Sequence, residues 1–151
     1  MSVPDEIVRE MVLKAPREKV WKALTDPEQV SKWFSTKTEI DLKPSGKVSY
    51  YWAQFDECCD GEVVAVEPQQ RFVFKWQPFL SIKDIKVDAS LYLHVEYVLE
   101  DHPHGTKLTL RESGFAAMPE ALAKRARTDN EFGWTEELAK LYDLFAERKR
   151  V

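Results

Sequence analysis

Between Lys47 and Ser113 the chain repeats one pattern, apolar and polar side chains alternating residue by residue. In "KVSYYWAQF" Val48, Tyr50 and Trp52 stand against Ser49, Tyr51 and Ala53. In "RFVFKW" Phe72, Phe74 and Trp76 stand against Val73 and Lys75. "SLYLHVEYVLE" sets Leu91, Leu93, Val95, Tyr97 and Leu99 against Tyr92, His94, Glu96 and Val98, and "TKLTLRES" repeats the pattern through Leu108, Leu110 and Glu112. A period of two is that of a strand with one covered face. From about Pro119 the period changes. At about 100° per residue, Trp134, Leu138, Leu141, Tyr142 and Phe145 fall within about 100° of one another, the stripe of a helix lying on a sheet. Lys140 and Asp143 fall on the other side, and Phe132 breaks the pattern. Strands with one covered face, followed by one long amphipathic helix, require an α+β layout in which the helix covers the sheet.

The remaining segments fit this layout. "IVREMVLKA" reads as a first strand, with Ile7, Met11 and Leu13 on one face. "PREKVWKAL" and "TDPEQVSKWF" read as two short helices, each with an early proline; Thr25 or Asp26 caps the second. "TKTEIDLK" is a weak strand, "GEVVAVE" another, and "PSG" and "DHPHG" are turns. Residues 78–87 lack periodicity and read as a loop or irregular edge. The short connections between strands imply antiparallel neighbours. With 151 residues the chain is expected to form one domain over 1–151, long enough to build a core without disulfides or metal.

The net charge of −4 argues against nucleic acid as a main partner, since phosphate binding needs a basic field. No run approaches the roughly 18 apolar residues of a membrane span, and no signal peptide is visible, so a cytoplasmic location is expected. Cys58 and Cys59 are adjacent, which suits neither a disulfide nor a zinc site; they read as two small residues in a strand or turn. Either monomer or homodimer is compatible with the sequence.

Two readings of the terminal helix remain. Its stripe is plain core, or it closes a cavity against a concave face carrying Tyr50, Trp52, Phe72, Phe74 and Trp76. Four segments then bear on the choice. "APREKVWKALTDPEQVSKWF", "GEVVAVEPQQRFVFKW", "GTKLTLRESGF" and "GWTEELAKL" stand in order over about residues 7–145. In this the chain resembles the family of the activator of the 90-kDa heat-shock chaperone ATPase, a branch of the START-like (SRPBCC) helix-grip superfamily. The resemblance implies a bent antiparallel sheet of about six to seven strands around a long C-terminal helix, with two short helices after the first strand. It also implies a cavity for an apolar or amphipathic small molecule. A chaperone partner, met through the surface, is the second expectation that it carries.

Residues expected around such a ligand are Trp33, Tyr50, Trp52, Phe74, Trp76, Glu112, Phe115, Trp134, Leu138 and Tyr142. Trp33 ends the second small helix, near the cavity mouth in this fold, and Phe115 tucks under the start of the long helix. Glu112 is the most informative of them. It is in phase with Leu108 and Leu110, and a carboxylate on the covered face must be paired, hydrated or at the rim. It either fixes a polar ligand group, acts as a general acid or base in a hydrolase- or cyclase-like enzyme, or pairs locally. No catalytic residue, metal or cofactor is assigned. His94 points away from the covered face, His102 and His104 read as solvated turn residues, and no serine stands in GxSxG.

Overall fold

The computed structural model describes residues 3–77 and 91–146. After strand β1 (Glu6–Leu13) come helices α1 (Arg17–Thr25) and α2 (Pro27–Val30). Strands β2 (Lys37–Ile40), β3 (Lys47–Trp52), β4 (Glu57–Glu67), β5 (Arg71–Trp76), β6 (Leu93–His102) and β7 (Gly105–Ser113) follow. A single turn of tighter helix at Phe115–Ala117 leads into α3 (Glu120–Ala146). The strands form one antiparallel sheet in the order β1-β7-β6-β5-β4-β3-β2. The two short helices thus carry the chain from one edge of the sheet to the other. This is the α+β layout expected from the period change, in the helix-grip form that the resemblance implies. The unperiodic segment 78–87 lies outside the described residues.

The alternation decides which side of each strand is buried. Val48, Tyr50 and Trp52 on β3, Phe72, Phe74 and Trp76 on β5, and Leu93, Val95, Tyr97 and Leu99 on β6 all join one core. Trp21 and Leu24 of α1 join it too, Trp21 meeting the Phe72 ring edge-on. Asp26 caps α2 by accepting from the Glu28 N–H at 3.1 Å, with Pro27 in the first position. Thr25, the other capping candidate, donates back to the Trp21 carbonyl instead.

The sheet departs from the expected strands in two places. β4 begins at Glu57, before "GEVVAVE", and takes in both cysteines: Cys59 faces the core and Cys58 faces out. Its alternation breaks because the register shifts between Val63 and Ala65, leaving Val64 exposed. Gly61 sits where β4 presses on β5, and a Cβ there would collide with the Lys75 carbonyl. At the far end of β7, Gly114 takes φ 116°, a conformation that suits glycine, and turns Phe115 fully into the core beneath α3. On α3 the buried stripe holds Leu122, Ala126, Trp134, Leu138 and Leu141. It is narrower than the wheel suggested, because Tyr142 lies at its margin and is 40% exposed.

Candidate functional site

The open end of the sheet, where β3, β4 and β5 pass beneath the middle of α3, carries a layer of aromatic rings around Phe34. The Phe34 ring stacks on Trp134 at 5.3 Å and on Trp76 at 5.9 Å, with interplanar angles of 15° and 16°. Tyr50 and Trp52 meet it edge-on at 5.2 and 5.1 Å. Offset stacks and edge contacts of this kind add to the burial of the rings. Phe34 reaches this position because the chain leaves α2 in a turn, its N–H bonding back to Val30. Trp33 packs on the Phe34 ring at 4.9 Å, its indole N–H donating to the Ala23 carbonyl at 2.8 Å.

Two buried carboxylates fix the indoles. Glu112 is wholly enclosed. Its Oε1 accepts the Trp134 indole N–H at 2.8 Å, its Oε2 accepts that of Trp76 at 2.9 Å, and the Asn130 amide donates to both at 3.1 Å. The carboxylate is paired, as a buried one must be, yet its three partners are neutral. Burial therefore still pushes its pKa up, although the indole and amide hydrogen bonds pull it down. Glu137, also buried, accepts the Trp52 indole N–H at 2.8 Å and meets Lys140 at 2.6 Å. Trp52 shares that N–H with the Phe34 carbonyl. Each of the three tryptophans is thus held by its polar edge.

In front of the rings lies a cleft of about 740 Å³ among the described residues. Phe34, Trp52, Trp76 and Trp134 line it, and Cys59 and Glu57 of β4 form part of its wall. Phe55, in the β3–β4 turn, and Phe132, on α3, flank it and are 61% and 68% exposed. Of the residues expected around a ligand, Trp52, Trp76 and Trp134 come together here. Tyr50 and Phe74 are buried deeper in the core, and Phe115 lies under the start of α3. Glu112 sits behind the indoles and does not line the cleft. Leu138 and Tyr142 border a separate shallow groove between α3 and β1, with Arg9 and Met11. Among the described residues no group of three His, Cys, Asp or Glu side chains could hold a metal ion.

Sequence reasoning placed Phe34 beside Trp33 near the cavity mouth but left it out of the ligand set, and passed over Glu57 and Glu137. Glu137 had a legible signal: three residues after Trp134, it lies one step from the apolar stripe, where a carboxylate needs a partner. Glu57 had one only in hindsight of β4's true start, being in phase with Cys59.

The comparisons agree with this geometry. The model of the family described as Activator of Hsp90 ATPase homolog 1-like protein matches residues 14–146. No curated protein matches the chain. Among solved structures, MLL2253 from Mesorhizobium loti superposes with a TM-score of 0.79 at 27% identity, covering 96% of this chain and 99% of that one. DynU16, from the dynemicin biosynthetic locus, gives a TM-score of 0.74 at 24% identity, over 93% of this chain and 46% of its own. CalU16 from Micromonospora echinospora gives 0.68 at 22% identity, over 92% and 73%. The last two share the fold with this chain.

Proposed function

The chain belongs to the family of Activator of Hsp90 ATPase homolog 1-like proteins, and we propose that it binds a small amphipathic molecule in the cleft before Trp52, Trp76 and Trp134. The observation that carries this reading is the cleft itself. Its volume of about 740 Å³ falls within the roughly 300–1,000 Å³ of small-molecule sites, which pair apolar walls with a few placed polar groups. Its aromatic wall is fixed in advance by the Glu112 and Glu137 hydrogen bonds, so little side-chain freedom would be lost on binding. No helix among the described residues is long and apolar enough to cross a membrane; with the acidic charge, this supports a cytoplasmic binding protein.

Native mass spectrometry of the gently purified protein, compared with the denatured chain, tests the reading. A co-purified small molecule, lost in Trp52→Ala, is the expected result. If the bare protein also fails to bind the neutral probe N-phenylnaphthylamine, the reading is wrong. A second reading, a protein partner seated on the rim, draws on the exposed Phe55 and Phe132 rings. It predicts that Phe132→Ala abolishes partner capture while leaving uptake of the probe intact.

A further inference from the structure

Among the described residues the charged groups around the cleft are mostly acidic. Glu57, Asp129, Glu136 and Glu137 line it, against one cation among the described residues, Lys140, which is already engaged by Glu137. Three carboxylates therefore stand without a lysine or arginine of the lining to balance them. Asp129 and Glu136 are exposed and well hydrated. Glu57 is different. It is only 8% exposed and stands on the inward face of β4, in phase with Cys59. Among the described residues no hydrogen bond or ion pair reaches its carboxylate. Its stem is buried while its carboxylate oxygens are not enclosed in the protein, so the charge is presented to the cleft, where a cation could pair with it. The fold places this one beside an aromatic wall, where among the described residues no lysine or arginine of the lining pairs with it.

The wall reports the same field. Cys59, next but one on β4, has its thiol pushed well up, by burial first and then by the charges of Glu112 and Glu57. Trp52, Trp76 and Trp134 add π faces, whose quadrupole attracts cations. Indole faces and uncompensated carboxylates around one cleft would repel an anion and leave a neutral polar group with no advantage. They favour an ammonium.

We propose that the ligand of this cleft is an organic cation: a protonated or quaternary amine carried on a flat apolar body, its charge held by Glu57 and its body by the ring layer. The inference rests on the binding function proposed above and specifies its ligand class. Glu136 and Asp129 at the mouth steer the cation inward, and Phe55 and Phe132 cover the part of the body that protrudes.

Titration of the intact chain with three isosteric probes tests it: naphthylmethylammonium, naphthylmethanol and naphthoate, followed by tryptophan fluorescence and calorimetry. The ammonium is expected to bind about tenfold more tightly than the alcohol, and the naphthoate more weakly than either. Added salt should narrow the gap between ammonium and alcohol. Glu57→Gln should cut the ammonium's affinity several-fold and leave the alcohol's unchanged. Glu136→Gln, at an exposed position that folding does not depend on, should produce a smaller loss in the same direction. Equal binding of ammonium and alcohol would overturn the cation inference and leave the binding function standing. Binding of none of the three would overturn both. A Glu57→Gln protein that is folded by circular dichroism and keeps the full preference would remove Glu57 from the proposal.

Discussion

Trp134 and Glu112 are joined by a 2.8 Å hydrogen bond that ties the middle of the long helix to the last strand of the sheet. With Trp76 on the second carboxylate oxygen, this contact joins two strands and a helix through one side chain. Glu112→Gln keeps the shape but replaces one acceptor oxygen by an NH2 group that faces an indole N–H. Leaving a buried donor unsatisfied costs about 1–3 kcal/mol, and the variant should lose about that much stability in urea denaturation. The pH dependence has a definite sign. Burial raises the folded-state pKa of Glu112 above its ordinary value of 4.5, so between those two values the folded protein binds more protons than the unfolded one. Its contribution is fully present below 4.5 and is lost as pH rises through the raised pKa. The advantage of the wild type over Glu112→Gln should therefore be largest in acid and shrink with rising pH. An advantage that grows with pH would contradict this.

Gly61 stands opposite Trp76 where β4 packs tightly on β5. A Cβ there would meet the Lys75 carbonyl and the Trp76 Cα, both backbone atoms that cannot step aside. Gly61→Ala should destabilise the protein by about 1–3 kcal/mol. Because the strain falls on Trp76, the near-ultraviolet circular dichroism of the ring layer should change as well. Unaltered stability in thermal or urea unfolding would mean that the two strands separate more easily than their register suggests.

How much of this could be read in advance depended on whether a feature was local. The alternation along β3, β5, β6 and β7 and the stripe of α3 follow from residue periods, and they were legible. The start of β4 was not, because the shift between Val63 and Ala65 mixes two phases within one strand. Trp33 and Phe34 are neighbours of similar bulk. Only the turn after α2, which bonds Phe34 back to Val30, decides that Phe34 stacks on Trp76 and Trp134 while Trp33 turns its indole N–H to Ala23. Tyr142 lay at the edge of the stripe, where its exposure depends on how far β1 extends beneath the helix. Glu112 was identified as buried from phase alone. Its partners Trp76 and Asn130 are distant in sequence, and no local pattern names them.

Arg17 makes a comparable junction at the other end of the fold. Its guanidinium donates to the Gln69 and Leu99 carbonyls at 2.8 and 3.0 Å and to Asp101 at 2.8 Å. Asp101 is 88% exposed in its side chain, and such an ion pair is worth little in water. The two carbonyls, by contrast, would lose a charged donor. Arg17→Ala should cost about 1–3 kcal/mol, and Asp101→Ala less than about 1 kcal/mol. Similar losses for the two variants would show that the ion pair dominates. None of these residues lines the cleft, so probe binding should be unaffected in either.

The adjacent cysteines should behave differently from each other and both more slowly than a free thiol. Cys59 is buried in the cleft wall, and burial with the charges of Glu112, Glu57 and Asp60 keeps its thiol protonated. Cys58 is exposed on the outer face beside Ser49 and Asp60. Partial burial and the Asp60 carboxylate raise its pKa, outweighing the Ser49 hydrogen bond and Lys47. Since the thiolate is the reactive species, iodoacetamide at neutral pH should label the native protein slowly and once, at Cys58. The rate should climb with pH beyond the point where an ordinary thiol levels off. The second label should appear only on unfolding. Rapid double labelling of the folded chain, read by intact mass, would mean that β4 opens readily and that the wall carrying Glu57 is not the rigid surface described above. In partially denaturing urea, where Cys59 becomes reactive, slower labelling of Cys59 with naphthylmethylammonium than with naphthylmethanol would link the thiol to the same cleft, because a cation held at Glu57 lies against the strand that carries both residues.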